Sequence, residues 1–71
     1  MDNPTLNVVK ELYDQLANDP RTKAAVIDVG FNRGMVVLTG TVKSASVAQA
    51  AEEIARQQPG VISVTNELKV G

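Results

Sequence analysis

The sequence has no cysteine, no histidine and no tryptophan, and its aromatic side chains are one tyrosine and one phenylalanine. Without cysteine, the chain can form neither a disulfide nor a thiolate metal site. Without histidine, it lacks the commonest general base and metal ligand. RNA-reading sheets stack bases on exposed aromatic residues, whereas Tyr13 and Phe31 are both predicted to point inward, which argues against RNA binding.

An excess of charge of either sign is also missing. Seven Lys and Arg residues stand against eight Asp and Glu residues, which gives a net charge of −1. Nucleic-acid binders usually show a strong basic excess, so this balance predicts no nucleic-acid partner.

Long apolar runs are absent as well. No stretch approaches the roughly 20 apolar residues of a membrane span. The first residues, Met1-Asp2-Asn3-Pro4, carry an acidic charge and no basic one and lead into no apolar segment, so they predict no secretory signal. The expectation is a cytoplasmic protein or a module of a longer chain.

No catalytic constellation can be found. Glu52 and Glu53 are neighbours on a predicted helix, so their carboxylates point about 100° apart and cannot face each other. There is no glycine-rich phosphate loop with Lys and Ser or Thr, and no serine has a visible activating partner. The sequence therefore predicts no enzyme, no metal and no cofactor.

What the chain does have is enough apolar residues for one core. Of its 71 residues, 44% are hydrophobic, and domains typically run to about 100–150 residues. A single domain over residues 1–71 is predicted, with a core of about 4–70. A chain of this length buries only about 60% of its unfolded surface, so its stability margin should be thin.

A first helix is predicted over residues 4–18. Asn3 and Pro4 form a helix start, and Asp19-Pro20 ends the helix because proline disfavours the helical conformation in the residue before it. The helix is not rich in Lys and Arg on its polar face, so its apolar stripe is interpreted as core and not as a membrane-lying surface. That stripe consists of Leu6, Val9, Leu12, Tyr13 and Leu16.

Two runs of alternating apolar residues around a turn glycine then predict a β-hairpin. The more apolar positions are odd before the turn and even after it, and directly opposed residues share a face of the sheet. Arg33 and Gly34 are therefore predicted to form a two-residue type I′ turn, which needs positive φ at both positions. A three-residue loop would place Phe31 opposite Met35, so the apolar residues of the two strands would no longer share one face of the sheet. The predicted register pairs Phe31 with Val36, Val29 with Leu38 and Ile27 with Gly40.

A second helix and a third strand follow. Ser44 and Ser46 compete as the helix cap, and Ser46 with Gln49 has the spacing of a capping box. Pro59-Gly60 ends the helix, and Asn66 interrupts the inward face of the strand, where it marks a bulge or an edge. The helix stripe is Val47, Ala50, Ala51, Ile54 and Ala55, and the inward strand positions are Ile62, Val64, Leu68 and Val70.

The element order α, β, β, α, β predicts an α+β fold, a two-layer αββαβ sandwich with both helices on one face of a three-stranded mixed sheet. Because βαβ crossovers are right-handed, the third strand is expected to run parallel to the second. The second strand is placed in the centre on account of its dense apolar run 36–38. A sheet with the first strand in the centre stays open as the alternative.

The stretch from Gly34 to Val42 resembles the signature of the BON domain, a family of small bacterial envelope-associated domains. The similarity covers about residues 5–70, and Arg33 departs from it where the family often carries Asn. It continues through Ala51, Ile54-Ala55, Pro59-Gly60-Val61, Val64, Asn66, Leu68 and Val70. The resemblance implies phospholipid binding, membrane association in the periplasm or envelope, a link to osmotic stress, and no catalytic residues.

Two sets of site residues are predicted. Gly34, Gly40 and Gly60 are interpreted as structural: the first serves the turn, the second lets a helix approach the sheet, and the third releases the chain from the second helix. The topology gathers four basic residues at one end of the sheet, where the second helix begins and its free amides can attract a phosphate. The hypothetical lipid headgroup site is Arg21, Lys23, Lys43, Ser44 and Lys69.

Two functions are thus expected to compete. The first is a module that binds anionic phospholipid at a membrane surface as a monomer or weak self-associator. The second is a protein–protein assembly module of a larger envelope or secretion protein, since ring-building domains share the αββαβ order, and it would use the open sheet face. Its partners would include other domains of the same parent protein. That face is predicted to carry Val26, Met35 and Val37 among Asp28, Thr39, Thr41, Thr65 and Glu67.

Overall fold

The computed structural model describes residues 4–71, and their side chains from Asn7 onward, so the predicted cap Asn3 and the side chain of Leu6 lie outside the described residues. The predicted element order is confirmed. The elements are α1 (Pro4–Asn18), β1 (Val26–Asn32), β2 (Met35–Val42), α2 (Ala45–Gln57) and β3 (Ser63–Val70).

The sheet has the order β1-β2-β3, so the alternative with β1 in the centre is wrong. β1 runs antiparallel to β2 and β3 runs parallel to it. The inward face of the sheet packs against apolar residues of both helices in a single core, as the two-layer fold predicts. Leu38 and Val36 of the central strand are completely buried there.

The hairpin has the predicted register, with Phe31 opposite Val36. Arg33 has φ 52° and Gly34 has φ 85°, so both turn residues lie in the left-handed region that a type I′ turn requires. A Cβ atom at Gly34 would lie 2.5 Å from Ile62 Cδ1. The exposed Ile62 side chain would have to shift to admit that atom. The left-handed φ is therefore the main reason for glycine at this position.

The buried face of α1 is rotated relative to the prediction. Val8, which the prediction missed, is buried with Leu12 and Leu16, whereas Tyr13 is 40% exposed. The three buried residues, Val8, Leu12 and Leu16, are spaced by four and form one row along the helix. Tyr13 lies beside the row, where its hydroxyl accepts a hydrogen bond from the Val29 amide at 3.0 Å. An amphipathic side chain such as tyrosine can pack its ring at the border of the core and keep its hydroxyl in a hydrogen bond.

Ser44, not Ser46, caps α2. Ser44 is extended (φ −152°, ψ 161°) and its hydroxyl accepts a hydrogen bond from the Val47 amide, while Ser46 already lies inside the helix. The capping-box prediction is therefore wrong. The physical reason is the short connection from β2. Because the helix already begins at Ala45, Ser44 is the extended residue directly before it, which is the position of an N-cap. The predicted apolar stripe is confirmed, with Ala50, Ala51, Ile54 and Ala55 buried.

Asn66 marks an edge strand and not a bulge. The register between β2 and β3 runs without interruption, from Met35 with Ser63 to Val42 with Val70. The side-chain nitrogen Nδ2 of Asn66 donates to the Ala48 carbonyl of α2 at 3.0 Å, and the side-chain oxygen Oδ1 accepts from the backbone amide of Leu68 at 3.0 Å. The predicted inward positions at the two ends of this strand are wrong in part. Ile62 is 83% exposed and Val70 is 57% exposed.

Gly40 is required by the neighbouring strand. Its φ is 133°, and a Cβ atom there would lie 2.5 Å from the Val26 carbonyl oxygen. The close neighbour is thus the backbone of β1 and not a helix, which corrects the predicted reason for this glycine. Gly60, with φ 94°, follows the end of α2.

Candidate functional site

Three strand ends and one helix start meet at one end of the sheet. The register places Val26 opposite Thr41, and Thr41 beside Lys69. α2 begins at Ala45, shortly after β2 ends. We call this region the basic end and define it by its four cations, Arg21, Lys23, Lys43 and Lys69.

A concave pocket of about 170 Å³ opens at the basic end. Its walls are largely apolar, and two of the predicted headgroup residues, Arg21 and Lys43, belong to its lining. Lys23, Ser44 and Lys69 do not line it, so the structure brings only part of the predicted set around one cavity. The remaining lining residues are Ala24, Ala25, Val26, Thr41, Val42 and Val47.

The Arg21 side chain is held by two carboxylates. Its guanidinium lies 3.0 Å from Asp19 Oδ2 and 3.3 Å from Glu53 Oε2, and its backbone amide donates to Asp19 Oδ1 at 2.8 Å. These hydrogen bonds from Arg21 lower the pKa of Asp19, and in turn Asp19 raises the pKa of Arg21. The charge of Arg21 is therefore largely balanced within the protein.

Three lysines of the basic end have no such partner in the part of the chain that the structure describes. Among the residues that the structure describes, the ion pairs involve Arg21 and Arg56, and none includes Lys23, Lys43 or Lys69. All three lysines are exposed. The net positive charge at this end therefore comes from the lysines, although Glu67 lies two residues from Lys69 on the same strand.

A buried threonine holds the loop that carries Lys23. Thr22 is 1% exposed, and its hydroxyl donates to the Leu16 carbonyl at 2.7 Å. The backbone amides of Thr22 and Lys23 both donate to the Asp19 carbonyl, at 3.0 and 2.8 Å. This loop is therefore tied to the end of α1, which positions Lys23 and Ala24 at the basic end.

Ser44 serves α2 and not an open site. Its hydroxyl accepts from the Val47 amide at 3.4 Å, so the cap already occupies this oxygen. The amides that remain in the first turn still direct a positive dipole toward the basic end. The contribution of Ser44 to anion binding would therefore be indirect, through its support of the helix start.

A second polar cluster joins α1 to the residue that follows α2. Gln58 is 5% exposed; its amide nitrogen donates to Glu11 Oε2 and its Oε1 accepts from Gln15 Nε2, both at 2.6 Å. All polar atoms of this buried side chain are thus satisfied, which suits a structural role. Local sequence patterns do not reveal this cluster, because the partners of Gln58 lie 43 and 47 residues away.

Within residues 4–71, no cluster of acidic side chains is arranged to hold a metal ion. Neither helix over the same residues combines the length and the apolar character needed to cross a membrane.

The face of the sheet opposite the helices is mixed in character. Val26 is 79% exposed and Met35 is 50% exposed there. The register sets Asp28, Thr39 and Glu67 in one row across the three strands. This one acidic row separates Val26 from Val37 and Met35, so the described residues form no broad apolar surface on this face.

A comparison with protein families matches residues 6–71 to the BON domain. The match spans nearly the whole chain, and this protein therefore belongs to the BON domain family. The family is one of binding domains and is not known as a family of enzymes, and it points to the bacterial envelope. The comparison with curated proteins finds no match.

Proposed function

We propose that this domain binds anionic phospholipid headgroups at the bacterial envelope, through the basic end. The observation that carries the proposal is the placement of Lys23, Lys43 and Lys69 at one end of the sheet without carboxylate partners among the described residues. The chain as a whole has a net charge of −1. A local positive site in such a chain favours one orientation toward an anionic surface.

The expected affinity is modest and electrostatic. Each Lys or Arg near an anionic bilayer contributes about 1 kcal/mol, so three lysines contribute about 3 kcal/mol. Arg21 adds less, because Asp19 and Glu53 already balance its charge. Exposed charges are screened over about 10 Å at 0.1 M ionic strength, so binding should weaken as salt is raised.

Co-sedimentation with phosphatidylglycerol vesicles tests the proposal, with phosphatidylcholine vesicles alongside. The Lys23→Glu/Lys43→Glu double variant should lose most of its binding, because it reverses two of the three free cations. The single variants Lys43→Glu and Lys10→Glu form a matched pair, since Lys10 is an exposed lysine of α1. Only the change at Lys43 should weaken binding.

Circular dichroism of the double variant provides the control for folding. Undiminished vesicle binding by a folded Lys23→Glu/Lys43→Glu variant would overturn the site and direct attention to α1 or the open sheet face.

A second candidate function is protein–protein assembly with other domains of a parent protein. The exposed side chains of Val26 and Met35 on the open face favour it, since exposed apolar side chains can mark an interface. The acidic row with Asp28 and Glu67 makes this face less apolar than a permanent interface requires. We therefore place lipid binding first.

A further inference from the structure

We infer that the pocket at the basic end accepts the apolar segment of an anionic phospholipid next to its phosphate, so that the site recognises a lipid and not a headgroup alone. The inference rests on the proposed function and names the part of the lipid that enters the protein. It is carried by the juxtaposition of apolar walls with two cations in one cavity.

The size of the pocket suits a short hydrocarbon group. Its volume is about 170 Å³, and an apolar cavity of about 150 Å³ is large enough to bind benzene. About six carbon atoms of an acyl chain therefore fit. A free phosphate would leave the apolar walls in contact with water.

The apolar walls come from the loop before β1 and from the first turn of α2. Ala24 is exposed on that loop, and Val47, which is half-buried in α2, lines the same pocket. Val26 belongs to the lining as well, but its side chain lies on the open face of the sheet and not between these two. An apolar ligand placed between Ala24 and Val47 would remove both side chains from water.

The positions of the cations determine which way round the ligand lies in the pocket. Lys43 lines the same pocket as these apolar residues and has no carboxylate partner among the described ion pairs. Arg21 lines it too, but Asp19 and Glu53 hold its guanidinium in place. An anion is therefore expected at Lys43, with its apolar segment directed between Ala24 and Val47.

Three soluble ligands separate the contributions of charge and chain. Dihexanoylphosphatidylglycerol has both, glycerol phosphate has only the charge, and dihexanoylphosphatidylcholine has the same chains on a zwitterionic headgroup. Backbone amide shifts of the whole domain are followed by NMR below the micelle concentration of each lipid. We expect the phosphatidylglycerol to bind at least ten-fold more tightly than either of the others and to shift the amides of Ala24, Ala25 and Val47.

A pocket-filling substitution tests the location. Ala24→Phe should weaken binding of dihexanoylphosphatidylglycerol at least ten-fold and leave glycerol phosphate binding unchanged. Ala17→Phe makes the same change at an exposed position of α1 outside the pocket and should bind as the original chain does. If Ala24→Phe does not fold, Ala24→Asp with Ala17→Asp repeats the comparison through charge in place of volume.

The two proposals fail in different ways. Equal affinity for the phosphatidylglycerol and glycerol phosphate, or unchanged lipid binding by Ala24→Phe, would overturn the pocket. The proposed function would still stand in that case if vesicle binding depends on Lys43. Equal affinity for the two lipids would also overturn the inference, because the cations would then play no part. Absence of any sedimentation with anionic vesicles would overturn the proposed function itself.

Discussion

At the scale of single residues, the backbone conformation of Arg33 follows from which face of the sheet the neighbouring side chains occupy. The alternation of apolar residues on both sides of the turn required a two-residue connection, and the structure has it with φ 52° at Arg33. A residue with a Cβ atom adopts this region at a cost of roughly 1–2 kcal/mol. The chain therefore tolerates local strain here to keep its two apolar faces together.

Arg33→Asn should stabilise the domain, because Asn tolerates the left-handed region better than Arg does. We expect a gain of about 0.5–1 kcal/mol, which corresponds to a rise of about 2–8 °C in Tm for a domain of this size. Thermal melting by circular dichroism measures it. Gly34→Ala is the control in the opposite direction, since the left-handed φ there disfavours a residue with a Cβ atom. An unchanged or lower Tm for Arg33→Asn would contradict the strain at this turn.

Residues whose partners are distant in sequence escaped prediction. The spacing of the apolar residues predicts that Tyr13 is in the core, yet its hydroxyl accepts a hydrogen bond from the edge of β1. The Arg21–Glu53 pair joins residues 32 positions apart, and it balances a charge that topology alone assigns to the headgroup site. Periodicity reports which face a residue occupies, but it carries no information on which distant side chain will meet it.

At the scale of the elements, the sequence predicted both helices, all three strands and the central place of β2. These features follow from local periods, from turn residues and from the crossover rule. The convergence of Arg21 and Lys43 at one end could be predicted in the same way, since topology determines which strand ends meet. The pocket between them could not, because its shape depends on how closely α2 packs against the end of β2.

Asn66→Ala should destabilise the domain by about 1–3 kcal/mol, because the partly buried side chain makes two hydrogen bonds, one to the Ala48 carbonyl of α2 and one to the Leu68 amide of its own strand. Urea unfolding measures the loss. Thr65→Ala removes a neighbouring polar side chain from the exposed face of the same strand and should change stability far less. Equal losses for the two variants would mean that the link to Ala48 contributes little.

At the scale of the whole molecule, both outer edges of the sheet are partly closed by side chains. The Tyr13 hydroxyl accepts from the Val29 amide on β1, and Asn66 Oδ1 accepts from the Leu68 amide on β3. Free strand edges invite pairing with another chain, and natural proteins block them by such means. Together with the acidic row on the open face, these contacts disfavour growth of the sheet by strand addition.

We therefore expect the isolated domain to be a monomer or a weak self-associator. A concentration series in sedimentation velocity should give a single species near the monomer mass of 7.5 kDa, with at most a slight increase at high concentration. An oligomer that persists on dilution would contradict this expectation and would favour the assembly function instead.

The contact between Tyr13 and β1 has a further consequence for how unfolding can be observed. Tyr13 is the single tyrosine of a chain without tryptophan, so intrinsic fluorescence excited at the tyrosine band reports on one place, the contact of α1 with the edge of the sheet. Far-ultraviolet circular dichroism reports on all the secondary structure at once. The protein thus carries a built-in local probe, and agreement of the two melting curves is a direct measure of how cooperatively its first helix and its sheet separate.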